Sequence, residues 1–309
     1  MCGNTLIKDN ITHSKANLNI PVIISASRRT DIPAFYMEWF MEQMNSGVFE
    51  IQNPYNGRMS CISAAPDNLH CIVFWSKDFG PFIRGNYGDL LSQKGYHLFF
   101  NFTINSTDMI LEPHVPSLSE RLEQLAWLSG RYDKRSIHWR FDPICFYQFH
   151  GQGRHHNLHD FLQIADAACD CGIQTCITSF MDHYPKIHKR VRSINGFSFL
   201  DPPNDQKLDI LIKMEAILQS RSIRLLTCCE PELMDQLPQH SKIGKSSCIS
   251  GLLLVEMLGE KLTIRKDRGQ RIQKGCGCQT SVDIGCYNRH PCYHNCLYCY
   301  ANPKIRPLP

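Results

Sequence analysis

Short apolar segments alternate with amphipathic segments along most of this 309-residue chain, and this alternation constrains the fold more than any other feature. Continuous apolar runs are typical of buried strands, and the periodic segments between them predict the helices that connect parallel strands. We therefore expect an α/β fold in which helices cover a parallel sheet. The predicted strands are 21–27, 70–76, 96–104, 136–146, 173–182 and 223–230, and the predicted helices are 32–47, 117–130, 159–172 and 206–222.

Local signals support the helix boundaries. Ser117 and Glu120 have the spacing of a capping box at the start of one helix. Gly47 and Gly172 stand where two other helices should stop, because glycine readily adopts the left-handed conformation that ends a helix.

The chain divides into three predicted segments: a polar leader (1–20), a β/α core (21–240) and a Gly- and Cys-rich C-terminal segment (241–309) that completes the core. No apolar run approaches the ~20 residues that a membrane helix needs, and the leader lacks the apolar region of a signal peptide. We therefore expect a cytoplasmic protein without membrane contact, whose thiols stay reduced.

The net charge of the chain does little to identify its binding partners. The net charge of +4 is mildly basic, which is compatible with anionic partners. It supports nucleic-acid binding only weakly, because dedicated nucleic-acid binders carry a stronger basic stripe.

Polar residues follow each of the predicted strands. Because ligands of parallel α/β folds bind at the carboxyl ends of the strands, these residues predict the polar floor of a shared pocket. The alternative is that strand ends simply meet solvent. The residues are Ser25 to Arg29 with Asp31, Ser76 to Asp78, Asn101, Thr103, Arg140, Asp142, Ser179, Asp182, Thr227 and Glu230.

The string "PCYHNCLYCYANP" (291–303) is the most metal-like stretch of the sequence. Cys292, Cys296 and Cys299 form a C-x3-C-x2-C pattern that lets one loop supply three soft thiolate ligands. One interpretation is an iron–sulfur cube with one iron left without a protein ligand. The other is a zinc site that takes His290 or His294 as its fourth ligand.

A second metal centre is predicted from the remaining clustered cysteines. Cys276 and Cys278 in "GCGC", together with Cys228 and Cys248, would give four thiolates for an auxiliary iron–sulfur cluster or a zinc ion, with Cys229 and Cys286 as spare candidates. The alternative is that these are ordinary buried thiols. The cysteines interpreted as core residues are Cys61, Cys71, Cys145, Cys169, Cys171 and Cys176.

The terminal string, with an aromatic residue before its last cysteine, resembles the cluster loop of the radical S-adenosylmethionine superfamily. "CYHNCLYCYANP" is most similar to the spore photoproduct lyase and DNA repair photolyase-like branch, which the segments "TDIPAF", "VFWSKD" and "WRFDPI" also resemble. In that superfamily the loop follows the first strand, whereas here it comes last. The resemblance therefore implies a partial β/α barrel that is circularly permuted. Over residues 20–303 the sequence also resembles the DUF1848 family, which is uncharacterised.

The resemblance implies a chemistry as well as a fold. A 4Fe-4S cluster on Cys292, Cys296 and Cys299 would bind S-adenosylmethionine, and its one-electron reduction would generate a 5′-deoxyadenosyl radical that takes hydrogen from an unknown substrate. A flavodoxin or ferredoxin would donate the electron. The residues expected at the cofactor are Tyr298, Tyr300, Asn101, Arg140, Ser179 and Asp182.

The candidate catalytic residues are the strand-end residues Arg28, Arg29, Asp31, Lys77 and Asp142. Their alternative role is in ion pairs at the barrel mouth. The competing function is a non-catalytic zinc or iron–sulfur protein that contacts nucleic acid.

Overall fold

The computed structural model describes residues 22–53, 56–259, 266–267, 271 and 274–301, so the predicted leader, 1–20, lies outside the described residues. The strands in these ranges are β1 (Val22–Ala26), β2 (Val48–Gln52), β3 (Met59–Ser63), β4 (Leu69–Ser76), β5 (His97–Thr103), β6 (Ile137–Ile144), β7 (Phe146–Phe149), β8 (Arg154–His156), β9 (Thr175–Phe180), β10 (Phe197–Leu200), β11 (Arg224–Thr227), β12 (Gly244–Lys245) and β13 (Val282–Asp283).

The helices in the same ranges are α1 (Ile32–Phe35), α2 (Met37–Ser46), α3 (Gly80–Arg84), α4 (Tyr87–Gln93), α5 (Leu118–Arg131), α6 (Phe161–Asp170), α7 (Pro185–Val191), α8 (Asn204–Gln219), α9 (Pro231–Met234) and α10 (Gly251–Leu258). The capping box of Ser117 and Glu120 begins α5, and Gly47 ends α2 with a φ of 78°. The predicted helix 32–47 is interrupted at Tyr36, whose backbone is not helical.

The predicted parallel sheet is confirmed. Eight strands form it in the order β12-β11-β9-β6-β5-β4-β1-β13, and every neighbouring pair is parallel. The six predicted strands make up its middle, and residues 241–301 add one strand to each edge. Because such strands are covered on both faces, they are continuous apolar runs, as in β4 and β5.

Two small antiparallel sheets were not predicted. β2 pairs with β3, and β7 pairs with both β8 and β10. These strands carry a half-exposed face and are short, so their apolar signal is weak.

One large apolar core lies between the sheet and its helices, with Trp139 and Phe100 almost fully buried. The interpretation of six cysteines as core residues is wrong for Cys61 and Cys169, which are exposed on β3 and α6. Cys171 is half-buried, and the prediction is right for Cys71, Cys145 and Cys176. None of the described helices has the length and apolar character needed to span a bilayer.

Candidate active site and thiol ring

The last strand is tied to the first by one carboxylate. In the register of β13 with β1, Asp283 lies opposite Ser25. Its carboxylate accepts hydrogen bonds from Ser25 Oγ at 3.0 Å, Ser27 Oγ at 2.6 Å and the backbone N–H of Arg28 at 2.7 Å. Arg29 Nη1 donates to the carbonyl of Gly285 at 3.0 Å. The chain therefore leaves β13 at the carboxyl edge of the sheet.

Residues 284–301, here called the cysteine loop, are fastened along their length. Tyr36 Oη donates to the Pro291 carbonyl at 2.6 Å, and the N–H of Leu297 donates to the Leu111 carbonyl at 2.9 Å. Arg190 Nη1 donates to the carbonyls of Leu297 at 2.9 Å and Cys299 at 2.8 Å. These bonds hold the loop against the carboxyl side of the sheet, where its residues join a second apolar cluster.

The thiols of Cys292, Cys296 and Cys299 interact electrostatically with each other and with their surroundings. Each of the three interacts electrostatically with Lys77, and Cys296 also with the other two thiols. No hydrogen bond joins two of these sulfurs in the described loop. Burial, with the nearby Asp31 carboxylate, raises the pKa of Cys292 to about 12, and burial raises the pKa of Cys296 and Cys299. They need a cationic partner to ionise at neutral pH.

Across the described ranges, no three His, Cys, Asp or Glu side chains are arranged to hold a single metal ion. His294, a candidate zinc ligand, has both ring nitrogens in other contacts, with Nε2 2.8 Å from Asp31 Oδ2 and Nδ1 3.3 Å from the His114 carbonyl. The ring of His290 packs 4.1 Å from that of Trp39, centroid to centroid, and burial lowers the pKa of His290 to about 4. These contacts do not favour a zinc site completed by histidine.

Asp31 joins three elements beside the cysteine loop. Its Oδ1 accepts from the N–H of Ala34 at 3.0 Å, which caps α1, and from Ser76 Oγ at 2.7 Å. Its Oδ2 accepts from the N–H of Lys77 at 2.8 Å and faces His294. The Asp31 carboxylate thus links the end of β4 to the cysteine loop.

A buried ion pair, formed by Lys77 and Glu112, lies beside the cysteine loop. Lys77 Nζ is 2.8 Å from Glu112 Oε1, which also accepts from Asn105 Nδ2 at 2.7 Å and from Tyr298 Oη. Burial opposes ionisation of Glu112, but Lys77 and then Arg121 lower its pKa to about 2. Glu112 Oε2 is buried and has no hydrogen-bond partner among the described residues. This carboxylate is therefore charged and has one oxygen open to a donor.

A hydrogen-bond path leads from Glu112 to the end of β6. Asn105 Oδ1 accepts from the N–H of Asp142 at 2.8 Å. The Asp142 carboxylate accepts from Arg140 Nη2 at 2.5 Å and from Ser179 Oγ. Arg140 also donates through Nη1 to Cys248 Sγ at 2.8 Å. The path ends at a second group of cysteines.

Five cysteines form that second group, here called the thiol ring. Cys228 Sγ lies 3.8 Å from both Cys229 Sγ and Cys248 Sγ. Cys278 interacts with Cys248 and Cys276, and Cys276 interacts with Cys229, which closes the ring. The Cys228 and Cys278 thiols, followed by Arg140, lower the pKa of Cys248. The structure thus brings together the four cysteines predicted for a second centre and adds Cys229.

A cavity of about 180 Å³ opens beside the thiol ring, at the carboxyl ends of β9 and β11. Burial raises the pKa of Glu230, one of its walls, to about 7. Asp182 is paired with Arg271 and, at 2.7 Å, with Lys274 Nζ. The lining residues include Ser179, Asp182, Lys207, Cys228, Cys229 and Glu230.

A family model described as "Domain of unknown function (DUF1848)" matches residues 23–301. This chain belongs to the DUF1848 family. No curated protein matches its sequence.

In this DUF1848 protein the residues predicted to bind cofactor fall into three pairs. Tyr298 is buried beside Glu112, and Tyr300 donates through Oη to the Arg28 carbonyl at 2.6 Å. Asn101 and Arg140 face the thiol ring, where Asn101 Nδ2 donates to the Cys248 carbonyl at 3.2 Å. The third pair, Ser179 and Asp182, lines the cavity.

The candidate catalytic residues also lie in more than one part of the site. Asp31 and Lys77 lie at the cysteine loop, and Asp142 lies on the path to the ring. The Arg28 guanidinium lies over the ring of Trp75, 5.1 Å from its centroid, and the cofactor candidate Arg140 packs on the same ring at 5.3 Å. Arg29 donates to the Gly285 carbonyl at the start of the cysteine loop.

Three functional candidates were missed from the sequence. Glu112 and Asn105 follow β5 in a connecting segment, where only a charged residue amid apolar neighbours hints at burial. Asp283 belongs to a strand of two residues, which is too short for any periodic signal.

Proposed function

We propose that this DUF1848 protein is a radical S-adenosylmethionine enzyme that holds a 4Fe-4S cluster on Cys292, Cys296 and Cys299. The observation that carries the proposal is the position of the cysteine loop. It follows a parallel strand directly and places three separate thiols beside a buried Lys77–Glu112 pair at the carboxyl edge of the sheet.

The strand order supports the permuted barrel that this proposal includes. Taken from the other edge, the sheet runs β13-β1-β4-β5-β6-β9-β11-β12. If β13 were moved to the start of the chain, sequence order and spatial order would coincide, and the cysteine loop would follow the first strand. Such a rearrangement leaves the sheet and its edge intact, because neighbours in space stay neighbours.

The donor set fits the cluster better than it fits a single ion. Thiolates of a cube bind different irons, so they lie farther apart than the ligands of one ion. Among the described residues, no three His, Cys, Asp or Glu side chains are arranged to hold one ion, and no hydrogen bond joins two of these three sulfurs. Lys77 provides positive charge near all three, which favours their thiolate forms.

When bound, such a cluster supplies one-electron reduction of S-adenosylmethionine. The residues of this chain fix the position of the cysteine loop that would hold the cluster. Asp31 and Arg190 hold the loop, and Tyr298 carries the loop's contact with Glu112. The free Glu112 oxygen is a buried polar atom that has no partner among the described residues and is available to a ligand.

Electron paramagnetic resonance tests the proposal. The full chain, reconstituted with iron without oxygen, should bind about four irons per chain in the cluster. Its reduced spectrum should change when S-adenosylmethionine is added, and the compound should be cleaved. Cys296→Ala should lose the iron, whereas Cys286→Ala, in the same loop but outside the motif, should keep it.

Two results would contradict the proposal. One is a colourless protein whose zinc disappears in Cys296→Ala, which favours the non-catalytic alternative. The other is a cluster whose spectrum S-adenosylmethionine leaves unchanged.

A further inference from the structure

The thiol ring has no part in the chemistry proposed for the cysteine loop. Its five sulfurs come from segments far apart in sequence: the end of β11, the residue Cys248 shortly after β12, and the "GCGC" turn before β13. Four of them, Cys228, Cys248, Cys276 and Cys278, are buried, and Cys229 is half-buried at the cavity. Cysteines that only fill the core would not need to gather at one place from such distant segments.

One sulfur separation in the ring equals the ligand spacing of a single tetrahedral ion. A Zn–S bond of about 2.3 Å places tetrahedral ligands about 3.8 Å apart. Cys228 Sγ and Cys248 Sγ are separated by 3.8 Å. Thiolates on an iron–sulfur cube bind different irons and therefore stand farther apart than this.

The backbone around the ring is shaped for close approach. A Cβ on Gly277, between Cys276 and Cys278, would lie 2.7 Å from the Ser246 carbonyl oxygen, so only glycine fits there. Cys229 has a φ of 63°, in the left-handed region that residues other than glycine rarely occupy. Adjacent cysteines at 228 and 229 can both reach the ring because the backbone turns in this way.

Charged and polar side chains already contact the sulfurs of the thiol ring. Arg140 Nη1 donates to Cys248 Sγ at 2.8 Å, and Arg28 interacts with Cys278. Ser246 Oγ lies 3.7 Å from Cys248 Sγ. Bonds of this kind orient metal-bound thiolates and stabilise their charge.

We propose that Cys228, Cys248, Cys276 and Cys278 bind one zinc ion as a closed, structural site. Soft thiolates select zinc, and four protein ligands leave no position for substrate. The contacts in the ring run from sulfur to sulfur and do not converge on one point, so the side chains turn inward when the ion binds and release their thiol protons to solvent. Cys229 stays outside the coordination sphere, at the cavity.

The test measures metal in the full chain purified with its three loop cysteines changed to alanine, which removes the proposed cluster from the count. We expect about one zinc per chain, and cobalt substitution should give the absorption of a tetrahedral thiolate site. Cys248→Ser should abolish both signals. Cys229→Ser, its neighbour in the ring, should keep them.

A second measurement covers variants that fail to fold. In the folded protein, chelation should expose four thiols to an alkylating reagent, and peptide mapping should place them at Cys228, Cys248, Cys276 and Cys278. Iron that depends on Cys248 would overturn the zinc assignment. A metal-free protein without chelator-dependent thiols, or loss of zinc in Cys229→Ser with retention in Cys228→Ser, would overturn it as well. Because the loop cysteines are absent, none of these results depends on the proposed enzyme.

Discussion

The cysteine loop and the thiol ring use the same side chain in two different ways. In the loop, one short segment supplies three thiols that lie beside a buried ion pair and, among the described residues, form no hydrogen bond with one another. In the ring, distant segments bring five thiols together, two of the contacts measuring 3.8 Å. We therefore expect different occupants at the two sites, an iron–sulfur cube at the loop and a single ion at the ring.

The two sites are also connected by hydrogen bonds. Glu112, Asn105, Asp142 and Arg140 form a continuous hydrogen-bond path from the loop to Cys248. Both sites lie at the carboxyl edge of one parallel sheet, where this architecture collects polar side chains.

The largest expected effect separates the two sites by their metals. Replacing Cys292, Cys296 and Cys299 with alanine should remove all iron from reconstituted protein and leave zinc. Cys276→Ala/Cys278→Ala should remove zinc and leave iron, because the two ligand sets share no residue. Metal analysis of both variants checks this. Loss of both metals in either variant would show that the sites are one unit.

The buried ion pair of the loop should rank second. Lys77→Met leaves the Glu112 carboxylate charged and buried, so we expect a loss of about 3–5 kcal/mol in the free energy of unfolding, measured with urea. The surface pair of Arg131 and Asp89, 2.6 Å apart, is the control, and Arg131→Met should destabilise the protein far less. Equal losses in the two variants would remove the distinction between a buried and an exposed pair.

The close approach in the ring gives a smaller effect. Gly277→Ala should destabilise the protein by about 1–3 kcal/mol, because its Cβ meets a backbone oxygen that cannot easily move. Gly130→Ala in α5 meets nothing within 4 Å and should be neutral or stabilising by up to about 1 kcal/mol. Thermal unfolding compares the two, and a neutral Gly277→Ala would mean that the turn can shift away from Ser246.

The anchor of the cysteine loop gives the smallest effect. Tyr36→Phe removes the hydrogen bond to the Pro291 carbonyl and should cost about 1 kcal/mol in urea unfolding. Tyr132→Phe is the matched control, because its hydroxyl is buried without a partner among the described residues. If both variants lose the same stability, the Pro291 bond does not anchor the loop.

Strands were predictable where their sequence forms a continuous apolar run. Long apolar strands such as β4 and β5 were predicted from sequence because burial on both faces leaves a continuous apolar run. β13 escaped prediction because its two residues gain their place from pairing with β1 and from the Asp283 hydrogen bonds. The same holds for Glu112, whose partners Lys77, Asn105 and Tyr298 come from three other segments.

Local features are predictable from the sequence alone. They are the alternation that makes a parallel sheet, the cap of α5, and a triplet of cysteines spaced for one centre. These depend on neighbouring residues, so order along the chain suffices to predict them. Three features are determined only by the tertiary structure. They are the set of cysteines that gathers in the ring, the pairing of His294 with Asp31, and the pairing of β13 with β1. Each depends on contacts between residues far apart in sequence, which form when folding closes the long loops between them.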